Sequence, residues 1–274
     1  MRCGPRPHCT ESIGGRFAAG SGNPDGYIPS VRKNGMSAQI APGVTRLDLG
    51  FRAPLGATAY LIEDGDLTLV DAGMPINATC IRSAIDDAGR GIGEIDRVLI
   101  THYDLDHLGG LARLTPDLDA PVYMGKRDLD LLNGGYDPPL LHHKGLFHRA
   151  VRAVYSPPTS LTYRAVVNGE RVGGFEAFHT PGHNPGHTVY VHEGLGAAFL
   201  GDLAWGEDGG LTIPIWFDSY DMDEIRDSVR WFAAETPRFE VACVAHGEPV
   251  LEGGYEALQA LAERVDAESG GLLR

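Results

Sequence analysis

The feature that most constrains this chain is the stretch Thr101-His102-Tyr103-Asp104-Leu105-Asp106-His107-Leu108-Gly109-Gly110, which follows the apolar run Val98-Leu99-Ile100. The run reads as part of a buried strand, Ile95 to Thr101. Two imidazoles and two carboxylates then fall within six residues. In an extended loop, side chains two apart share a face, so His102, Asp104 and Asp106 can converge. His107 opens a helix predicted over His107 to Leu114 and aims at a neighbouring point. Amides at the start of that helix favour the carboxylates. Four ligand-type side chains at one strand end point to a metal.

The same arrangement recurs downstream. His179-Thr180-Pro181-Gly182-His183-Asn184-Pro185-Gly186-His187 is a Pro/Gly-rich loop after a strand and presents His183. Proline restricts the unbound loop, so less entropy is lost on binding an ion. Ala198-Phe199-Leu200-Gly201-Asp202 ends an apolar strand in a carboxylate, and Val241-Ala242-Cys243-Val244-Ala245-His246-Gly247 ends one in an imidazole. A lone strand-end histidine is ordinarily a hydrogen-bonded loop residue. A series of them, in order after apolar strands, is a constellation.

Between these points the chain alternates strands and helices. Strands are predicted at 44–49, 57–62, 67–70, 122–124, 161–167, 174–178, 188–192, 197–200 and 240–244, with Asp64-Gly65-Asp66 as a hairpin turn. Helices are predicted at 77–88 (capped by Asn77, with Ile81, Ala84, Ile85 and Ala88 inward), 126–132, 221–234 and 253–265. Residues 133–160 interrupt the rhythm with Gly134-Gly135, Pro138-Pro139 and Pro157-Pro158 around a basic segment, His142 to Tyr155. This is read as a helical insertion. Either it walls a site, or it packs on the core through Leu146, Phe147, Ala150, Val151 and Val154 and leaves His142, His143 and His148 in solvent. Strands in each half with helices between them suggest two sheets face to face with helices outside, in one α/β (α+β) domain over 36–274.

Composition excludes several classes. Residues 1–35 hold 11 Gly or Pro and five Arg/Lys against two Asp/Glu, with no apolar core for a secretory signal. They are expected to be a disordered extension. A formal charge of −14 argues against nucleic acid as partner, and no stretch has the length and apolarity of a membrane span. The four cysteines, Cys3, Cys9, Cys80 and Cys243, form neither a zinc ribbon nor a disulfide framework, so a cytoplasmic location is expected. The expected partner is a small-molecule substrate. Nothing in the sequence specifies an oligomeric state.

Residues from about 44 to 265 resemble the metallo-β-lactamase superfamily of hydrolases, on the strength of Val70-Asp71-Ala72-Gly73, Thr101 to Gly110, the Thr-Pro-Gly-His run ending at His183, Gly201-Asp202 and Ala245-His246-Gly247. The longer Pro/Gly loop is similar to that of glyoxalase II-like thioesterases and lactonases. The resemblance implies a four-layer αβ/βα sandwich with a binuclear centre at one edge. Residue by residue, His102, Asp104 and His183 would hold one ion, Asp106, His107 and His246 a second, and Asp202 would bridge them. Asp71 would support the site. The cofactors implied are two divalent ions, zinc first, with iron or manganese as alternatives.

One departure stands out. The family signature is His-x-His-x-Asp-His, whereas this chain has Asp104 in place of the second histidine. Aspartate is a harder ligand, which shifts preference toward iron or manganese. Two dications with Asp104, Asp106 and Asp202 leave a charge of about +1 and a less acidic bound water; the alternative is a degenerate, weak or vacant first site. The mechanism implied is a hydroxide shared by two ions roughly 3.5–4 Å apart attacking a carbonyl carbon, with Asp106 as the catalytic proton carrier. A small ester, lactone or thioester is the expected substrate, with Tyr103, Trp205, Trp216, Phe217 and Tyr220 as candidates for an apolar wall. The alternatives are a di-iron oxygen or nitric-oxide reductase, which would need a separate electron donor, and a metal-dependent binding protein without turnover.

Overall fold

The computed structural model describes residues 33–34, 37–47, 49 and 57–271. Of the expected extension, only Lys33 and Asn34 fall within them. They form a short strand, β1 (Lys33–Asn34), paired antiparallel with Ser37 and Ala38. The first sheet continues in chain order through β2 (Ser37–Ala41), β3 (Val44–Leu47), β4 (Ala59–Glu63), β5 (Leu67–Val70), β6 (Arg97–Ile100), β7 (Val122–Gly125) and β8 (Tyr163–Val166). It is antiparallel up to β5 and parallel from β5 to β8. Parallel neighbours need crossovers. These are supplied by α1 (Ala78–Asp87), by the short turns α2 (Leu105–Leu108) and α3 (Leu111–Leu114), and by α4 (Lys126–Leu132) with α5 (His143–Val154).

The second sheet contains β9 (Arg171–Val172), β10 (Phe175–His179), β11 (Thr188–His192) and β12 (Ala197–Gly201), with β15 (Val241–Val244) parallel to β12 at its edge. A small hairpin, β13 (Trp205–Glu207) and β14 (Gly210–Thr212), follows β12, and α6 (Met222–Glu235) and α7 (Gly254–Gly271) cover the outer face.

The layering follows from strands that are apolar on both faces. Side chains alternate across a strand, so each strand feeds two cores. In β6, Val98 and Ile100 join the core under α1 and α3, while Leu99 faces the other sheet. In β12, Ala198 and Leu200 pack under α6 and α7, while Ala197 and Phe199 face inward. The middle core joins Val44, Tyr60, Leu99, Phe175, Tyr190, Phe199 and Cys243 from the two sheets. The result is a four-layer αβ/βα sandwich, as expected. Only a strand buried on both sides reads as an unbroken apolar run.

Two local expectations differ in detail. Asn77 does not cap α1 through its side chain. Its Oδ1 accepts from Met74 N (3.0 Å), and its Nδ2 donates to the Leu49 carbonyl (2.9 Å). The helix after β6 begins at Leu105 rather than His107. Among the described residues, no helix is long and apolar enough to cross a membrane.

The sheets are stitched together along one edge. Tyr60 OH donates to the Val244 carbonyl (2.7 Å), Thr58 N to the Ala245 carbonyl (2.7 Å) and Thr188 N to the Thr101 carbonyl (2.9 Å). These bonds lie within a residue or two of His102 and His246, and they hold the loops after β6, β10, β12 and β15 at a common rim.

Candidate metal centre

All seven expected ligands meet at that rim, and six of them are buried. His102 and Asp104 leave β6 in extended chain, while the early start of α2 turns Asp106 and His107 toward the opposite half of the site. Asp104 Oδ2 lies 3.1 Å from His183 Nε2, which lies 3.4 Å from Asp202 Oδ2. His246 Nε2 is 3.3 Å from Asp202 Oδ2 and 3.5 Å from Asp106 Oδ2, and His107 Nε2 is 3.7 Å from Asp202 Oδ1.

The chain prepares these groups through their neighbours. Asp71 has a left-handed backbone (φ 61°), a rare conformation outside glycine in which Asp and Asn are the better tolerated residues. Its carboxylate accepts from Thr101 N (2.9 Å), Thr101 Oγ1 (2.9 Å) and His107 Nδ1 (2.9 Å). A carboxylate only accepts, so the His107 proton sits on Nδ1 and the Nε2 lone pair faces the site. Thr101 Oγ1, having donated to Asp71, accepts from His102 Nδ1 (3.0 Å) and turns His102 Nε2 inward. The backbone N–H of Asp202 donates to His187 Nε2 (3.0 Å), and His187 Nδ1 is held by Thr180 Oγ1 (2.8 Å). Gly201 (φ +50°) allows this approach. A Cβ there would lie 2.7 Å from His187 Nε2 and 2.8 Å from Thr101 Cβ.

Electrostatics divide the site in two. Burial works against charge on His107, but Asp71, Asp106 and Asp202 outweigh it and push its pKa up to about 10, so Nε2 has a high affinity for a cation, whether proton or metal ion. Burial, with Asp104 and Asp202 nearby, raises the Asp106 carboxyl. Buried negative charge thus dominates this half. Four buried donor atoms at the centre, His102 Nε2, His107 Nε2, His246 Nε2 and Asp202 Oδ1, have no protein hydrogen-bond partner. Leaving such groups unpaired is costly, and a divalent ion would satisfy them. Around Asp104 the opposite holds. Burial alone would raise its carboxyl, but Lys144, His102 and His148 hold it well below the usual range. Its Oδ1 accepts from His148 Nε2 (2.7 Å) and Asn184 Nδ2 (2.9 Å), and its Oδ2 pairs with Lys144 Nζ (2.8 Å).

The residues surrounding Asp104 are those the sequence reading did not assign. Lys144 and His148 come from α5, whose inward face is Lys144, Gly145, His148 and Val151, while Leu146, Phe147, Ala150 and Val154 are exposed. The insertion therefore walls the site with polar groups. Of the apolar residues expected on the core, only Val151 packs there, and His148 is buried rather than solvated. Spacing of i, i+4 between a lysine and a histidine was the available signal. Asn184 and His187 lay inside the Pro/Gly motif. Asp128 accepts from Tyr103 N (2.8 Å) and Gly186 N (2.7 Å) and fixes the loops carrying Asp104 and Asn184.

A cleft of about 360 Å³ opens beside this half, lined by His143, Lys144, Phe147, Trp216, Phe217 and Asp218. Of the aromatic residues expected as a wall, Trp216 and Phe217 line the cleft. Trp205 lies against His246 (centroids 5.0 Å apart), Tyr220 bonds His148 Nδ1 (2.9 Å), and Tyr103 belongs to the core.

The profile of the metallo-beta-lactamase superfamily matches residues 52–246, the stretch that carries the whole site. This chain belongs to the metallo-β-lactamase superfamily. It is 30% identical over 207 residues to "Probable metallo-hydrolase YybB" of Bacillus subtilis, across 75% of this chain and 86% of that protein. It is also 30% identical over 175 residues to an atrochrysone carboxyl ACP thioesterase of Aspergillus fumigatus, across 61% of this chain but 34% of that protein. A solved structure of TTHA1623 in a di-iron-bound form superposes with a TM-score of 0.55 at 28% identity, covering 75% of this chain and 94% of that one. Superfamily membership, metallo-hydrolase relatives and the His/Asp clusters support an enzyme of metal-dependent hydrolysis.

Proposed function

We propose that the protein hydrolyses a small ester, thioester or lactone, using a divalent ion held by Asp106, His107, Asp202 and His246. The observation that carries this reading is the convergence of His107 Nε2, His246 Nε2 and Asp202 Oδ1, all buried and without protein partners, beside an aromatic cleft. A divalent ion bound there supplies Lewis acidity and makes water acidic enough to serve as a nucleophile near neutral pH. Zinc suits the imidazoles, and the carboxylate-rich set also suits iron or manganese.

The chain's own residues do the rest. Asp71 keeps His107 in the tautomer that offers Nε2. The Asp106 side chain is 24% exposed, against 7% for Asp104 and 2% for Asp202, so of these three carboxylates it is the one that can exchange a proton with solvent, and it serves as proton carrier. Phe147, Trp216 and Phe217 receive the apolar part of the substrate. Kinship with a thioesterase supports a carbonyl substrate, and the net charge of −14 disfavours polyanions. The free, buried thiol of Cys243 is compatible with a cytoplasmic setting.

The test is a panel of aryl esters, acyl thioesters, lactones and phosphoesters given to protein loaded separately with zinc, manganese and iron. Hydrolysis of at least one carbonyl class is expected, abolished by chelator and by Asp106→Ala. Fully loaded protein that leaves every carbonyl substrate intact, or an iron form that consumes oxygen instead, would overturn the reading.

A further inference from the structure

The side chain of Lys144 is 2% exposed and reaches into the set formed by His102, Asp104 and His183. An ammonium has three protons to place. Here its neighbours are Asp104 Oδ2 at 2.8 Å, His183 Nε2 at 2.8 Å and the Asp218 carbonyl at 2.6 Å, so every proton has an acceptor. Asp104 Oδ2 and His183 Nε2 are themselves 3.1 Å apart, both acceptors, with the ammonium bridging them. Ser219 Oγ donates to the Ile215 carbonyl (3.2 Å) and so accepts from His183 Nδ1 (3.4 Å), which leaves the Nε2 lone pair for the lysine. An ion bound to His183 would need that lone pair. The other oxygen of Asp104 is filled by His148 and Asn184. Of the three expected ligands in this half, only His102 keeps an unpartnered donor atom, which lies between the halves, 3.4 Å from Asp104 Oδ2 and within reach of His107 and Asp202.

We propose that Lys144 is a built-in cation standing where the first ion of the centre would bind, so that this chain takes a single divalent ion at Asp106, His107, Asp202 and His246. The aspartate in place of the second histidine fits this arrangement. A carboxylate can ion-pair with an ammonium while accepting two further hydrogen bonds on its other oxygen, whereas a neutral imidazole offers one lone pair. The lysine is positioned by the first turn of α5 and by the Trp216–Asp218 loop, both of which also line the aromatic cleft. It therefore adds fixed positive charge at the junction of cleft and ion.

This inference rests on the proposed metal centre, and the experiment separates the two. Protein is loaded with excess zinc or manganese, desalted, and its metal counted by mass spectrometry, with thermal melting to verify folding. Wild type is expected to retain one ion per chain, and Lys144→Met and Lys144→Gln to retain two, because Asp104 and His183 are released to join His102. A wild-type count of two, which needs no variant, overturns the proposal, as do folded variants that still retain one. One ion without hydrolysis of any carbonyl substrate would instead sink the functional reading alone. Two ions with full hydrolysis would sink only the lysine inference.

Discussion

Asp71 shows how much one residue can set. It occupies a left-handed position that aspartate and asparagine tolerate, and its carboxylate orders Thr101, His107 and, through Thr101, His102. Asp71→Asn keeps the backbone preference but removes the anionic acceptor. Divalent-ion affinity measured by chelator competition is expected to fall about 10- to 100-fold, the usual effect of losing a ligand's supporting partner. Unchanged affinity would mean that His107 needs no such support. A second residue-scale prediction concerns Asp64, which accepts from His192 Nε2 (2.8 Å) and so joins the β4–β5 hairpin to the second sheet. Burial opposes its charge, but the hydrogen bonds from His192 and the Asp66 backbone prevail and lower its pKa. A carboxyl with a depressed folded pKa contributes stability above its unfolded value near 4 and loses it as pH falls through the folded value. Asp64→Asn is expected to remove about 1 kcal/mol at pH 7 and to flatten the acid limb of the stability curve below about pH 4. Urea titrations of both proteins across that range provide the check.

At the scale of elements, α5 is the part whose role its sequence disguised. Its apolar residues suggest a core face, yet Leu146, Phe147 and Val154 are exposed and Lys144 and His148 point inward. Burial there is driven by the charge on Asp104, which a hydropathy pattern does not register. The outward Phe147, with Trp216 and Phe217 from the facing loop, is then available to a ligand. Trp216 is 68% exposed, so its removal should cost little stability. Trp216→Ala is expected to leave the melting temperature nearly unchanged. It should raise KM for substrates with a long apolar acyl group about tenfold while sparing acetyl substrates, as befits about 1–3 kcal/mol of apolar contact. Equal KM changes for both would exclude the cleft as the acyl site.

For the molecule as a whole, the two sheets and their shared core act as the jig that brings four distant loops to one rim. Phe199, 1% exposed, packs against Tyr60 and Phe175 at the centre of that core. Phe199→Ala is expected to cost about 3–5 kcal/mol, read by chemical denaturation, because the rigid sheets cannot collapse around the void. The paired sheets with helices outside and the candidate ligands at strand ends were legible in the sequence, since runs apolar on both faces admit few packings and several of them ended in a ligand-type residue; the order of strands within each sheet was not. Lys144 and Asp218 were not legible. They reach the site from segments 40 and 114 residues away from Asp104, and nothing local marks a lysine as buried. Local pattern thus determined which residues could hold an ion, because ligand chemistry and strand period are properties of short segments. Which of them are already satisfied by another side chain was decided only in three dimensions, because pairing between charges depends on where the folded chain brings them together.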